Sequence, residues 1–182
     1  MASILLIRHA QSAPSADVAE PDWPLSDLGE TQAETLVSHL SDHPIDAIYA
    51  SPYQRARATV TPLASERGHT IGIQDDLRER TLADGPLPDW RDQLARTWAD
   101  FDYRLPGGES SRQCQQRVVP CLTALAESHR GESIVVCSHG NAIALFLNSI
   151  DPGFGFDAWS AMPNPALYHA RYDGEWWLGE SS

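Results

Sequence analysis

Two histidines in this sequence each follow a short apolar run, with one residue between the run and the histidine. Arg8 and His9 follow the run 4–7, and His139 follows the run 133–137 with one serine between. Short apolar runs of this kind predict buried strands. Open α/β sheets keep their functional groups at the carboxyl ends of such strands. The spacing therefore predicts that two imidazoles and a guanidinium meet at one edge of a sheet.

A third apolar run, 45–50, leads into a segment that carries Arg55 and Arg57. A neutral imidazole can attack phosphorus as a nucleophile, and guanidinium groups bind phosphoryl oxygens through charge-assisted hydrogen bonds. One histidine after a strand is more often structural than catalytic. Three such segments together favour chemistry, namely a histidine nucleophile among phosphate-binding cations. Arg57 is either one of these cations or a charge on a helix surface.

Alternating strands and helices must position these residues. They predict an α/β fold, a three-layer α/β/α sandwich with a mostly parallel central sheet. Asp27 is expected to cap the first helix, and Pro52 is expected to lie in the first turn of the next one. Pro120 predicts a kink or break within the helix 109–129. The predicted strands are 4–7, 45–50, 70–73 and 133–137, with a hairpin of 166–172 and 175–178; the predicted helices are 27–40, 52–68, 89–100, 109–129 and 141–149.

Composition narrows the classes of function. With 182 residues, of which 42% are hydrophobic, the chain is expected to form one domain over residues 1–182. The formal net charge of −12 argues against nucleic acid or an anionic membrane as partner, because both need a basic surface. It does not argue against a small phosphorylated substrate, which a local cluster of cations can bind.

The location of the protein is expected to be cytoplasmic. No apolar run approaches the roughly 20 residues that span a bilayer, and residues 1–3 lead straight into a strand instead of a signal core. The three cysteines are an odd count, and Cys137 lies within an apolar run. Reduced, partly buried thiols are expected in place of disulfides.

The ordered motifs resemble those of the histidine phosphatase superfamily, in its phosphoglycerate-mutase-like branch 1. The resemblance covers nearly the whole chain. It implies a phosphoglycerate-mutase-like fold and a metal-independent phosphoric monoester hydrolase of the histidine acid phosphatase type. The similar segments are Arg8-His9-Ala10, with Ala in place of the family's Gly, Pro24-Leu25-Ser26, Ser51-Pro52 with Arg55-Ala56, Leu77-Arg78-Glu79, Pro106-Gly107-Gly108 and Ser138-His139-Gly140.

The resemblance implies roles for the matching residues. His9 would be the nucleophile that briefly carries the phosphoryl group as phosphohistidine. Arg8, Arg55 and His139 would donate hydrogen bonds to the non-bridging phosphoryl oxygens, and Gly140 would let backbone N–H groups at a helix start approach the same anion. The other histidines lack ligand-type spacing to cysteines or carboxylates, so neither a catalytic metal nor a cofactor is expected.

The leaving alkoxide needs a proton and the phosphohistidine then needs an activated water, so one group must act as acid and then as base. Glu79 is the candidate, because the tripeptide 77–79 resembles the family segment that carries this carboxylate. The Gly and Trp that follow it in many members are replaced here by residues 82–85, which makes Asp84 a second candidate. A surface ion pair with a neighbouring arginine is the structural alternative for Glu79.

Two other functions compete with hydrolysis. A phosphoglycerate mutase would retain the released intermediate and hand the phosphoryl group back. The bisphosphate-dependent mutases of the family are longer, and they resemble a Glu-Ser-x-x-Asn pattern that residues 11–15 do not reproduce. A phosphate-sensing or phosphohistidine-binding module without turnover would lack one of the core residues, and all are present. Phosphomonoester hydrolysis is therefore the leading hypothesis.

Two irregular segments are expected to border the site. The loop 12–24 should cross its mouth, and residues 80–107 are predicted to form a lid. The lid carries Arg91 and Arg104 among aromatic side chains, which would suit a substrate with a second anionic group or a flat ring. In the alternative interpretation, Trp98 and Phe101 belong to the core and the arginines are solvated.

Overall fold

The computed structural model describes residues 1–179, and one six-stranded sheet organises them. The strands are β1 (Ala2–Arg8), β2 (Ala47–Ala50), β3 (Ile71–Ile73), β4 (Ser133–Ser138), β5 (Ala166–Tyr172) and β6 (Trp176–Leu178). Their order is β3-β2-β4-β1-β5-β6. The first four are mutually parallel, β5 is antiparallel to β1, and β6 is antiparallel to β5.

β1 lies in the interior of this sheet because both of its faces are apolar. Ile4 and Leu6 pack on one face and Leu5 and Ile7 on the other, and the four are at most 5% exposed. A strand that is covered on both faces needs such a continuous apolar run. The helices that cover it are α1 (Asp27–His39), α2 (Gln54–Arg67), α3 (Trp90–Ala99), α4 (Ser111–Ser128), α5 (Gly140–Ile150) and α6 (Phe156–Ala161).

These helices form two layers, one on each side of the sheet. Buried residues of α1 and α2 belong to the core on the face of Leu5, and those of α3, α4 and α5 to the core on the face of Ile4. The mostly parallel sheet between two helical layers confirms the predicted three-layer α/β fold.

Three predicted helix features are wrong in detail. Ser26 rather than Asp27 caps α1, because its Oγ accepts a hydrogen bond from Gly29 N at 3.0 Å. Pro52 lies two residues before α2 instead of in its first turn. Pro120 does not break α4, which continues through it, while the kink that was the other expectation stays a prediction. The opposite side of α4 packs in the core, and that packing outweighs one missing backbone donor.

The C-terminal part contains one element that the sequence analysis misses, the short helix α6. The turn between β5 and β6 is the predicted hairpin, and Asp173 N donates to Glu175 O across it at 3.1 Å. The prediction of a single domain over residues 1–182 includes residues 180–182, which lie outside the described residues. It therefore stays a prediction.

The segment 80–107 contacts the rest of the molecule through a buried pair of aromatic rings and through an exposed arginine. Trp98 is 8% exposed and meets the Phe101 ring edge-on at 5.9 Å, so these two rings belong to the core. Arg91 is exposed, and its Nη2 donates to Ser160 Oγ of α6 at 2.6 Å. The helix within this segment, α3, was correctly predicted.

Candidate active site

Three strands bring the candidate residues to one edge of the sheet. β4 lies between β1 and β2, so the residues that follow these strands meet. His9 N donates to Ser138 O at 3.0 Å, and Ser51 N donates to Cys137 O at 2.9 Å. The ring centroids of His9 and His139 are 5.2 Å apart, and both side chains are buried. The structure thus places the two histidines together, as the strand ends predicted.

His9 has one ring nitrogen bonded to the backbone and the other directed at a cation. Nδ1 lies 2.7 Å from Ala10 O, and because a carbonyl only accepts, Nδ1 carries the proton. Nε2 then presents its lone pair, toward which Arg55 Nε donates at 3.2 Å. Burial is the main cause that lowers the pKa of His9 to about 3, with Arg55 and Arg8 adding to it. This imidazole is therefore uncharged at neutral pH.

His139 has the complementary arrangement. Its Nε2 lies 2.7 Å from Ser51 Oγ, which already accepts a hydrogen bond from Tyr53 N at 3.2 Å. The Ser51 hydroxyl can donate to Nε2 or accept from it, and the His139 proton lies on Nδ1 when Ser51 is the donor. That Nδ1 is buried and has no hydrogen-bond partner within residues 1–179. Burial, followed by the charges of His9 and Arg55, holds the pKa of His139 well below its ordinary value.

Arg55 is buried on α2, and each nitrogen of its guanidinium has a partner. Nε contacts His9, Nη1 donates to Glu20 O at 2.8 Å, and Nη2 donates to Glu20 Oε1 at 2.9 Å. The Arg55 side chain is 4% exposed, whereas that of Glu20 is 46% exposed. The rings of Trp23 and Tyr53 lie 5.7 and 4.9 Å from the guanidinium carbon. Residues of the loop 12–24 therefore hold Arg55 beside His9.

Arg8 ends β1 and packs against the start of α5. Its Nη1 donates to the carbonyl of Met162 and, at 3.5 Å, to that of Pro163, while its buried Nε has no partner within residues 1–179. A Cβ at Gly140 would lie 3.3 Å from Arg8 Cζ and Nε and 3.2 Å from Trp159 Nε1. Gly140 therefore makes room for Arg8, and its expected part in bringing backbone N–H groups to the anion stays a prediction.

The N-terminus of α5 holds a carboxylate of the chain itself, that of Glu79. Its Oε1 accepts from Arg80 N at 2.8 Å and from Ala142 N at 3.3 Å, and its Oε2 accepts from Asn141 N at 3.3 Å. The positive end of the helix dipole favours this position for an acidic group. Backbone donors thus hold Glu79 next to the helix that follows His139, in place of the alternative surface ion pair.

Two other candidates, Asp84 and Arg57, make no side-chain hydrogen bond to this cluster within residues 1–179. Asp84 is exposed and packs against Gly107, where an added Cβ would come within 2.4 Å of its Cγ. Asp84 N also donates to Pro106 O at 3.3 Å, so this residue belongs to a turn of the segment 80–107. Arg57 is exposed on α2. Of the two candidate acids, Glu79 is the one that the structure places beside α5.

Some residues that support the site carry no local sequence signal. Asn164 Nδ2 donates to His9 O at 2.7 Å, and Thr59 Oγ1 accepts from Ala10 N at 2.9 Å. Glu20 reaches Arg55 from the loop 12–24. The pairing of β1 with β5 brings Asn164 to His9, and pairing between strands so distant along the chain is not marked by any one motif.

The described residues contain no cluster of metal-ligating side chains. Within residues 1–179, no three His, Cys, Asp or Glu side chains are arranged to hold a metal ion. None of the helices in that range is long and apolar enough to cross a membrane.

Cys114, Cys121 and Cys137 are free thiols, and burial raises the pKa of all three, to about 12 for Cys114 and about 11 for Cys121.

Comparison with known proteins gives consistent matches along the chain. The family model described as histidine phosphatase superfamily (branch 1) matches residues 4–180. The probable phosphoglycerate mutase GpmB of Shigella boydii serotype 18 is 27% identical, over 98% of this chain and 88% of that protein. Phosphoglycerate mutase-like protein 4 of Arabidopsis thaliana is 30% identical, over 78% of this chain and 68% of that protein.

Solved structures match the fold at lower sequence identity. Bacillus stearothermophilus YhfR is 22% identical with a TM-score of 0.78, over 98% of this chain and 95% of that chain. The mycobacterial glucosyl-3-phosphoglycerate phosphatase Rv2419c in complex with VO3 is 24% identical with a TM-score of 0.77, over 97% and 96% of the two chains. These similarities show a shared three-dimensional fold.

Proposed function

Because the chain belongs to the histidine phosphatase superfamily (branch 1), we propose that it is a metal-independent phosphomonoesterase that works through a phosphohistidine on His9. The state of His9 carries the proposal. Its imidazole is neutral, its Nδ1 is committed to Ala10 O, and its Nε2 lone pair faces the Arg55 guanidinium. The substrate would be a small phosphorylated molecule, and the type of reaction that of a histidine acid phosphatase.

The proposed reaction has two steps. In the first, the hydrogen bond from Arg55 Nε to His9 Nε2 breaks and Nε2 forms a bond to phosphorus while the bond from phosphorus to the leaving oxygen breaks. Glu79, in its acid form, gives that oxygen a proton. In the second, water attacks the phosphorus, the bond from phosphorus to Nε2 breaks, and Glu79 takes the proton of the water. Both side chains return to their starting states, and inorganic phosphate leaves.

Arg8, Arg55 and His139 would bind the non-bridging phosphoryl oxygens. Arg8 Nε supports this role, because it is a buried donor that lacks an acceptor within residues 1–179, and His139 Nδ1 is a second buried nitrogen without a partner there. An unsatisfied buried donor costs free energy, and a phosphoryl oxygen would remove that cost. The same bonds would stabilise the charge of the transition state. Gly140 would contribute by leaving space for Arg8.

Two alternatives rank lower. A phosphoglycerate mutase activity is suggested by the printed names of relatives such as GpmB, at 27% identity, but residues 11–15 depart from the mutase pattern. A phosphate-binding or phosphohistidine-binding module without turnover is disfavoured because the nucleophile, the cations and the acid are all present. The proposal also includes a single domain with residues 80–107 as a lid, and a cytoplasmic location.

Trapping of the intermediate tests the proposal directly. Brief exposure to a labelled phosphomonoester should give an adduct on His9 that is labile in acid and stable in base, as expected for a phosphohistidine. The His9→Ala variant should give no adduct. An adduct that base removes, or one that survives His9→Ala, would rule out this mechanism. Full loss of activity in EDTA with rescue by a divalent ion would rule out its metal-independent form.

The role of Glu79 has its own test, for which Asp84 supplies the control. Glu79→Gln should depress turnover strongly for esters with poor leaving groups, which need protonation, and less for nitrophenyl phosphate, whose leaving group needs little. Asp84→Asn should leave the ratio of the two rates near that of the wild type. If the two variants exchange these behaviours, Asp84 is the acid.

A further inference from the structure

A carboxylate of the chain is bound to the guanidinium that is proposed to bind phosphate. Glu20 opens the short 3-10 turn Glu20–Asp22, and it contacts Arg55 both through its main-chain oxygen and through Oε1. Arg55 is also the residue whose Nε faces the His9 nucleophile. The guanidinium next to the reacting nitrogen thus already has an anion as a partner.

The loop around Glu20 has internal bonds that fix its position. An antiparallel bridge between Ser12 and Leu25 closes the base of the loop. Trp23 Nε1 donates to Ser15 O at 3.1 Å and to Val18 O at 3.0 Å, which ties the two sides of the loop together. The loop therefore presents Glu20 to the site as a fixed feature of the fold, and the contact with Arg55 follows from that.

The two partners differ in how easily they can separate. The Arg55 side chain is 4% exposed and bonded to His9 on its other side, whereas the Glu20 side chain is 46% exposed. A half-exposed carboxylate can exchange its partner for water at little cost, since such ion pairs contribute modestly. When a phosphoryl group enters, Glu20 is the group that can leave and Arg55 the one that stays.

We propose that Glu20 competes with the phosphoryl group for Arg55 and thereby promotes the release of inorganic phosphate after hydrolysis. This inference rests on the proposed function. Competition weakens the binding of free phosphate and of the phosphoryl end of an ester alike. An ester has further contacts through its leaving group to offset the competition, whereas inorganic phosphate has none. The carboxylate thus favours turnover over retention of the product.

The test compares two neutralised carboxylates of the same turn. Glu20→Gln keeps the size and an acceptor oxygen but removes the charge. Asp22→Asn removes the same charge two residues away, on an exposed side chain for which the described residues give no hydrogen bond to Arg55. Binding of inorganic phosphate to the resting protein is measured by calorimetry, and its inhibition constant as a product is measured kinetically.

In Glu20→Gln, the dissociation and inhibition constants of phosphate should both fall about tenfold, equivalent to ~1.4 kcal/mol. In Asp22→Asn they should change less than about twofold, because exposed charges outside direct contact are screened. Glu20→Ala, which also removes the acceptor oxygen, should tighten phosphate binding at least as much as Glu20→Gln.

Three outcomes would overturn the inference. Equal tightening in Glu20→Gln and Asp22→Asn would mean a general effect of charge. Unchanged phosphate binding in Glu20→Gln would mean that the carboxylate does not compete. Weaker phosphate binding would mean that Glu20 positions Arg55 instead. The proposed function fails separately, through the absence of an adduct on His9, and the calorimetric comparison remains decisive for Glu20 in either case.

Discussion

Two clusters of buried charge lie within residues 1–179, and Arg8 in one and Arg117 in the other differ in how completely their donors are satisfied. In the active-site cluster, Arg8 Nε and His139 Nδ1 are buried without partners in residues 1–179. In the second cluster, Arg117 on α4 binds both carboxylate oxygens of Glu109, each at 2.7 Å, and its Nη1 donates to the carbonyl of Asp76 at 2.6 Å. The same residue types thus serve opposite purposes.

The difference teaches that burial alone does not identify a functional cation. An arginine whose carboxylate partner is itself mostly buried is a structural connection, because its desolvation is offset within the protein. Glu109 beside Arg117 is 16% exposed, whereas Glu20 beside Arg55 is 46% exposed. A buried donor without an acceptor is a cost that a ligand can remove. By this criterion Arg8 is a candidate for binding the substrate, as proposed, and Arg117 is a structural connection.

The second cluster nevertheless serves the first by position. Arg117 also donates to Arg78 O at 2.9 Å and to Glu79 O at 3.3 Å, so it holds the backbone that carries the candidate acid. Arg80 donates to Glu109 O at 2.9 Å and to Ser111 Oγ at 2.9 Å, which fixes the same segment from its other end. Glu79 is therefore placed by structural arginines on both sides.

The largest effect outside the nucleophile is expected at His139. His139→Ala should lower kcat/KM by about 10²-fold or more, the scale of losing one donor to the transition state, and Arg55→Ala should do the same. His169→Ala, on β5, should remain near the wild type. Steady-state kinetics with nitrophenyl phosphate measure this, and near-normal rates in His139→Ala would remove this side chain from the active-site cluster.

A smaller loss of activity, with a loss of stability, is expected at Arg117. Arg117→Ala leaves Glu109 and several carbonyls without their donor, which should lower the free energy of unfolding by about 2–3 kcal/mol. Activity should fall about tenfold, because Glu79 loses its fixed position. Arg112 lies on the same helix as Arg117 and forms an exposed ion pair with Asp102. Arg112→Ala should therefore leave the urea midpoint unchanged.

This double effect distinguishes the two clusters. If Arg117→Ala reduced activity while the urea midpoint stayed at that of the wild type, the second cluster would be functional instead of structural. The comparison with Arg112→Ala ensures that loss of any arginine from α4 is not the cause.

The sequence predicts the chemical groups better than the groups that position them. His9 and His139 can be predicted because each follows a continuous apolar run, which a strand covered on both faces requires. Arg55 follows from the turn after β2. Asn164 and Glu20 cannot be predicted in the same way, because tertiary pairing and loop closure bring them to the site and no periodic pattern records either.

The helices show the same limit on a smaller scale. Ser26 and Asp27 are both suitable caps, and only the extended backbone at Ser26 decides between them. Pro120 predicts a break from its own chemistry, whereas the core contacts of α4 come from distant residues. The six-residue helix α6 is too short for a periodic signal.

The stability of the protein should depend on pH through the two buried histidines. Both pKa values are lowered in the folded state, so between about pH 6.5 and the folded pKa the unfolded chain binds protons that the folded chain does not. For His9 the resulting loss of stability builds up as pH falls from about 6.5 toward about 3, and the pKa of His139, held well below its ordinary value, adds a loss in the same direction. Urea denaturation should show a lower free energy of unfolding at pH 4.5 than at pH 7.

His139→Gln removes one of these proton sites and should make the dependence shallower. The slope of the free energy of unfolding between pH 4.5 and pH 7 is the quantity to compare with that of the wild type. An identical slope in the variant would mean that His139 is not the source of the acid sensitivity.

The smallest effect is expected at Arg91. Its guanidinium is exposed and makes one hydrogen bond to Ser160, so Arg91→Gln should change kcat/KM less than about threefold. The change should be equal for nitrophenyl phosphate and for a larger anionic ester. A tenfold loss confined to the larger ester would instead show that the segment 80–107 selects the substrate through this arginine.

The position of β1 in the sheet has a consequence for biosynthesis. Its two neighbours, β4 and β5, both belong to the last third of the chain. A nascent chain that ends before Ser133 therefore holds an apolar strand with both edges unpaired, and such edges associate readily with other chains. His9, the proposed nucleophile, is synthesised almost first, yet its surroundings form only when nearly all of the protein has emerged. A chain truncated before β4 should be inactive and prone to aggregation.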